Sequence, residues 1–283
     1  MVSDPDELRA ASLQAWEGAA AGWARRQGAM RQASAPVSQW MVQAIDPQPG
    51  HRVLELAAGL GETGFLAAEL TAPGGRLICS DQAEGMLEGA RARAAELDLD
   101  RVEFKVIDAE WIDLPLASLN GVLCRWGYML MADPGAALRE TRRVLSPGGR
   151  LALATWDRPA SNPWAAVPGR ELVARGHQAP PVSGEPSMFA LSDRESLEEL
   201  LAQAGFTEVE VDAVDFHFDF QSFDDWWEAQ LDIAPGRRDT LNGLPHTEAE
   251  SVREAIECAL ADFTDQGGRC RLPARSLVAA ASA

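Results

Sequence analysis

Gly59-Leu60-Gly61-Glu62-Thr63-Gly64 is the stretch of this 283-residue chain whose residue types and spacing most directly imply chemistry. It follows an apolar run, Arg52 to Ala57, and opens a segment of helical pattern. Glycines there let the backbone approach a ligand while helix N–H groups face it. The letters satisfy G-x-G-x-x-G, and Asp81 stands at about the distance where a ribose-binding carboxylate is wanted, with Gln82 beside it. A ribose-containing ligand is therefore expected at the carboxyl edge of a sheet, either a nicotinamide dinucleotide or S-adenosylmethionine. Glu55 favours the second: a carboxylate near the glycine loop suits the cationic amino group of an amino-acid ligand and opposes a pyrophosphate. In Asp108-Ala109-Glu110 a carboxylate can accept from an adenine amino group and a backbone N–H can donate to the ring. The same aspartate can equally cap a turn at a strand end.

Positioning these groups requires a sheet. Five short apolar runs, Arg52–Ala57, Arg76–Ser80, Val102–Ile107, Gly121–Cys124 and Arg150–Thr155, alternate with longer periodic stretches, the pattern of βα units around a parallel sheet. Met86, Leu87, Ala90, Ala94 and Leu97 recur at helical spacing, and a second helix fits 136–145 with Leu138, Thr141 and Leu145 on one side. Pro73-Gly74-Gly75 and Ser146-Pro147-Gly148-Gly149 supply turns before the second and fifth strands. Ser192 with Glu195 reads as a capping box for a helix reaching Ala204 and stopping at Gly205. An alternating strand, Phe206–Phe216, follows. Residues 222–268 read as a helical insertion between two strands that pair as a hairpin at the sheet edge. The stretch 8–42 is helical, with Trp16, Trp23 and Trp40, and 158–190 reads as a Pro-rich loop. The expected division is a helical cap over 1–48, an α/β core over 49–221, a helical lid over 222–268 and the last strand over 269–283.

Val53–Gly61, Asp81, Asp108–Glu110, the Pro147-Gly148-Gly149 turn and Ala204–Val211 together resemble the ordered motifs of class I S-adenosylmethionine-dependent methyltransferases, especially the group similar to ubiquinone/menaquinone C-methyltransferases. The resemblance covers about residues 50 to 218. It implies a doubly wound, Rossmann-like, mostly parallel seven-stranded sheet with S-adenosylmethionine as cofactor. It also implies that Gly59 and Gly61 wrap the methionine part, Asp81 holds the ribose, Asp108 and Ala109 bind adenine, Met86 packs near it, and the backbone around Arg125 meets the amino group. Ala57 departs from the pattern, standing where the family's first loop glycine usually stands. That is tolerable if the position has ordinary φ. A cofactor-binding protein without catalysis and a nicotinamide oxidoreductase are the alternatives.

A formal charge of -18 would repel a phosphate backbone, which excludes nucleic acid as the expected partner. The segment from Arg125 to Pro134 likewise lacks the Asn-Pro-Pro-Tyr signature of amino-methylating nucleic-acid enzymes. No apolar run of about 18 residues is present to span a membrane, and the first residues lack the basic-then-apolar order of a signal peptide, so the cytoplasm is the expected location. Four cysteines and four histidines show no metal-ligand spacing, and no metal site is expected. The expected partner is a small-molecule methyl acceptor, and a homodimer is left open. The acceptor is expected to be largely apolar, aromatic or polyketide-like, and held among Trp126, Tyr128, Trp156, Trp226 and Trp227. His217, at the end of an alternating strand, is the histidine nominated as general base, since an imidazole, whose unperturbed pKa is about 6.5, suits proton removal near neutrality. As an edge-strand residue it can equally face solvent.

Overall fold

The computed structural model describes residues 4–234 and 236–283. A 41-residue helix, α1 (Pro5–Ile45), comes first. It is capped by Asp4, whose side chain accepts from the Asp6 N–H, with Pro5 at the first helical position. Then follow β1 (Arg52–Glu55), α2 (Glu62–Leu70), β2 (Arg76–Asp81), α3 (Glu84–Glu96), β3 (Val102–Val106), β4 (Leu119–Arg125), α4 (Pro134–Val144) and β5 (Leu145–Trp156). The chain continues through α5 (Pro163–Ala174), α6 (Arg194–Gln203), β6 (Thr207–Phe220), α7 (Phe223–Ile233), α8 (Arg237–Asn242), α9 (His246–Ala259) and β7 (Cys270–Ser282).

The seven strands form one sheet in the order β3-β2-β1-β4-β5-β7-β6, parallel except for β7, which runs antiparallel to both of its neighbours. Successive strand residues alternate between two cores, as the two-residue period demands. Val53, Leu77, Cys79 and Leu123 join the core that includes α1, α2 and α3, whereas Leu54, Ile78, Val122 and Cys124 join the core that includes α4 and α6. Both faces are dry, which is why the central strands read as continuous apolar runs. Among the described residues no helix is long and apolar enough to cross a membrane.

Several expected boundaries shift. The fifth strand begins at Leu145, which pairs with Leu119, so Leu145 belongs to the sheet rather than to α4, and the Pro147–Gly149 turn is carried inside the strand as a bulge. The helix after the Pro-rich region is capped by Asp193, whose carboxylate accepts from Ser196 N, and not by Ser192. The stretch 158–190 contains α5, with Trp164, Ala165, Val167, Pro168 and Leu172 buried along it.

The N-terminal part of α1 is tied down by polar side chains. Its Glu17 accepts from the first N–H groups of α3, Glu84 N at 2.7 Å and Gly85 N at 3.0 Å, capping a helix whose own Ala83 offers no side-chain acceptor. Arg9 donates to Glu110 and Ser12 accepts from Gln82. At Gly22, α1 meets α7 so closely that an added Cβ would lie 2.0 Å from the Asp232 carbonyl oxygen. Trp23 Nε1 donates to Ile233 O, and Arg25 and Arg26 both bond the Asp232 carboxylate there.

Candidate active site

The carboxyl ends of the central strands open onto one cavity of about 370 Å³. Its lining runs from Asp81, Gln82, Met86, Asp108 and Ala109 at β2 and β3, across Ala57 to Leu60 after β1, to Arg125 and Trp126 after β4 and Trp156 at the end of β5. That is the crevice where the strand order reverses and where doubly wound sheets bind ligands. The other wall is α1, through Leu8, Arg9, Ser12, Trp16, Trp23 and Met30, together with Gln230, Ile233, Ala234 and Arg237 from the insertion.

Asp81 is 7% exposed. Its Oδ2 accepts from Gly59 N at 2.9 Å and its Oδ1 from Ala83 N at 3.0 Å, so one carboxylate shapes both the glycine loop and the entry to α3. Burial pushes its pKa above the ordinary value, while the Ala83, Gly59 and Gln82 N–H groups pull it back. Each oxygen retains accepting capacity beyond those bonds. Asp108 caps the turn as one of its two readings has it, its Oδ1 accepting from Glu110 N at 2.9 Å, and it also lines the cavity.

Glu55 sits behind the loop rather than in the cavity lining. It is 2% exposed, and its Oε2 has no hydrogen-bond partner among the described residues. Burial pushes its pKa up to about 8 against the attraction of Arg125 and the Gly64 N–H; Glu62 repels the charged form and the Thr63 N–H favours it. Beside the loop an ion pair faces the cavity, Arg125 Nη2 with Glu62 Oε2 at 2.8 Å. The same guanidinium also donates to Ser34 Oγ and lies 4.5 Å from the Trp126 ring centroid. Trp126 in turn stacks on Trp156 with centroids 4.1 Å apart, and Trp164 meets Trp156 edge-on at 5.0 Å. Trp126 holds this place at φ +61, a strained value for a bulky residue, anchored by Trp126 N to Ala154 O and by its Nε1 to Ser276 Oγ.

A methyltransferase-domain family model matches residues 47–180. The demethylmenaquinone methyltransferase of Clavibacter sepedonicus is 35% identical over 188 residues, covering 59% of this chain and 70% of that protein. The chain belongs to the class I S-adenosylmethionine-dependent methyltransferases. Within them it falls in the ubiquinone/menaquinone C-methyltransferase-like group; it is an enzyme, and its methyl donor is S-adenosylmethionine. The nocamycin O-methyltransferase of Saccharothrix syringae is 30% identical over 185 residues, covering 62% of this chain and 65% of that protein. The solved YcgJ protein of Bacillus subtilis shares the fold with a TM-score of 0.59 at 18% identity, covering 87% of this chain and 97% of that one.

In this methyltransferase the loop glycines adopt left-handed backbone, Gly59 at φ 55 and Gly61 at φ 78. Ala57 does too, at φ 48, so the condition under which alanine is tolerable at that position is not met. A non-glycine residue there costs roughly 1–2 kcal/mol, and glycine would return about 0.5–1 kcal/mol of that as unfolded-chain entropy. Ala57→Gly is therefore expected to stabilise the protein by about 0.5–1 kcal/mol, read as a raised urea midpoint; a lowered midpoint would show that the Ala57 methyl makes contacts worth more than its strain.

Three other expectations are corrected, for His217, for Tyr128 and for the Trp226–Trp227 pair. His217 lies on the exposed face of β6, because the strand's alternation turns Phe216, Phe218 and Phe220 inward and leaves His217 outside; it is not in the cavity lining and is withdrawn as a base. Tyr128 is fully buried in the core on the other face, its hydroxyl 2.6 Å from Thr141 Oγ1. Trp226 and Trp227 pack with Phe223 inside the insertion and do not line the cavity. Glu110 lines the cavity, but its carboxylate is already engaged by Arg9 and by Ala132 N. The residues missed from sequence are Glu62, Trp164, Gln230, Arg237 and the α1 stripe. Of these the stripe carried a signal, since residues 8, 12, 16, 23 and 30 fall four and seven apart, on one side of a helix.

Proposed function

We propose that this methyltransferase acts on a small, largely apolar, aromatic or polyketide-like acceptor, held against the Trp126, Trp156 and Trp164 wall under α7. One observation carries the reading: a single cavity joins the Asp81 and Asp108 end to a tryptophan-lined end, so donor and acceptor can meet in one enclosed space. Predominantly apolar walls with few polar groups are the usual make-up of small-ligand pockets. The nocamycin relative, named as an O-methyltransferase, supports a small-molecule acceptor.

The residues present fit the methyl donor. Asp81 offers accepting oxygens for ribose hydroxyls, Asp108 and the Ala109 N–H suit an adenine edge, and Met86, Leu60 and Ile107 give apolar contact. Gly59 lines the cavity with open space where a side chain would stand, which leaves room for backbone approach, whereas Gly61, expected beside it, is packed against the Phe65 ring and is not in the lining; the Glu62–Arg125 pair offers both signs of charge to an amino-acid moiety. When bound, S-adenosylmethionine supplies an electrophilic methyl group on a sulfonium. The protein's own contribution is orientation and exclusion of water, which can carry much of such a transfer. The N-terminal helix and the insertion form the cover.

A calorimetric titration with S-adenosylhomocysteine should give saturable binding, and Asp81→Ala should weaken it by roughly 1.5–3 kcal/mol, the usual worth of hydrogen bonds to a charged group. Unchanged affinity in a folded variant would remove Asp81 from the site. For the acceptor end, a screen with methyl-labelled donor against aromatic and polyketide acids and phenols should find product. Trp156→Leu should then lower turnover at least tenfold while leaving S-adenosylhomocysteine affinity within about twofold. Equal turnover in the variant would place the acceptor elsewhere.

A further inference from the structure

Arg237 stands apart from the other arginines around the cavity. Arg9 pairs with Glu110, Arg125 with Glu62, and Arg25, Arg26 and Arg238 share Asp232. Arg237 has no carboxylate within ion-pair distance among the described residues. Among the described residues its guanidinium makes one hydrogen bond, from Nη1 to Gln230 Oε1, and it lines the cavity. In a chain with 43 acidic residues against 25 basic ones, a cavity arginine left without a carboxylate is a conspicuous vacancy of charge.

Gln230 adds a second donor. It is 2% exposed, and because its oxygen accepts from Arg237 Nη1, its Nε2 points elsewhere, with no partner among the described residues. Gln230 and Arg237 therefore present unused donors and no unused charge of opposite sign. The remaining walls beyond the donor end, Trp126, Trp156, Trp164, Ala165, Met188 and Ile233, hold no carboxylate or imidazole. Burial pushes the Arg237 pKa down to about 10, which still leaves it charged at neutral pH. A half-buried guanidinium without a counter-charge and a buried amide N–H without an acceptor are costly, and a ligand that satisfies both relieves that cost.

We propose that the methyl acceptor is a planar organic oxyanion, a carboxylate or an ionised phenol or enol, whose charged oxygen is held by Arg237 and Gln230 while its ring lies along the tryptophan wall. The proposal rests on the reading above that this cavity takes the acceptor, and it deepens it. It also accounts for the missing base: an acceptor stabilised as its anion by a guanidinium has no proton for the protein to remove.

The test is calorimetry on the full chain saturated with S-adenosylhomocysteine, using naphthoate, a nitrophenolate at a pH where it is ionised, and neutral naphthamide. At least one oxyanion should bind tenfold or more tightly than the amide, and the tighter of the two assigns carboxylate or phenolate chemistry. Arg237→Met should abolish that preference and Arg237→Lys should keep part of it, with S-adenosylhomocysteine affinity unchanged in both. Amide binding as tight as the anions, no binding of either anion, or a preference that survives in Arg237→Met overturns the proposal. Failure of the parent chain to bind S-adenosylhomocysteine overturns the reading of the cavity itself and the proposal with it.

Discussion

Glu55→Gln is expected to raise the melting temperature at pH 8 by about 5 °C or more, and to leave it nearly unchanged near pH 4.5. In the unfolded chain this carboxyl titrates near 4.5, whereas in the fold burial holds it at about 8. Between those values the folded protein binds the proton more tightly than the unfolded one. The contribution of Glu55 is therefore fully present at acid pH and is lost as pH rises toward 8. Each pH unit in that window is worth about 1.4 kcal/mol, so the total is a few kcal/mol, and one kcal/mol moves the melting point of a domain of this size by about 2–4 °C. Glutamine mimics the protonated acid in shape: its oxygen can take the N–H groups of the α2 first turn, while its amide occupies the unpartnered Oε2 position. The measurement is thermal unfolding of both proteins across pH 4.5 to 8.5. Parallel profiles, with no gap opening on the alkaline side, would mean that Glu55 stays ionised in the fold and is compensated by Arg125.

The βα framework was legible because its signals are local: apolar runs four to six residues long, turn residues between them, and a glycine loop placed after the first run. That Asp81, Asp108 and the glycine loop would line one cavity was legible for the same reason, since each stands where a strand ends. Beyond those residues the site is assembled by long-range packing, and legibility falls. Helix α5 reads as loop in the sequence because Pro163 and Pro168 mask its periodicity, although Pro163 at a first helical position is itself a start signal and Pro168 is accommodated inside the helix. His217 was misplaced despite an available signal. The alternation of Phe216, Phe218 and Phe220 with Asp215, His217 and Asp219 already turns the histidine outward. Trp226 and Trp227 looked like ligand-facing residues, but aromatic side chains at the start of a helical insertion serve equally to bury it, and here they do. Arg237 could not have been found from sequence, because what distinguishes it is the absence of a carboxylate beside it in space.

Two glycines on the same helix provide the sharpest check on the cover. Gly18 and Gly22 lie one turn apart on α1. A methyl group at Gly18 would meet nothing within 4 Å, whereas at Gly22 it would fall 2.0 Å from the Asp232 carbonyl oxygen and 2.8 Å from its carbon. Alanine is favoured over glycine inside a helix by roughly 0.8–1 kcal/mol, so Gly18→Ala should stabilise the protein by about that amount. Gly22→Ala carries the same helix preference but must push α1 and α7 apart. The contacts at risk are Trp23 with Ile233 and Arg25 and Arg26 with Asp232. Overpacking of this kind typically costs about 1–3 kcal/mol, which outweighs the propensity gain. Because the displaced element is α7, the loss should be local. Hydrogen exchange should quicken across 223–259 in Gly22→Ala and not in Gly18→Ala, with the central strands protected in both. If the insertion covers the cavity as proposed, the Gly22 variant should also release bound S-adenosylhomocysteine faster, while the Gly18 variant keeps the parental rate. Equal exchange in 223–259 for the two variants would show that close contact at Gly22 does not hold the insertion in place.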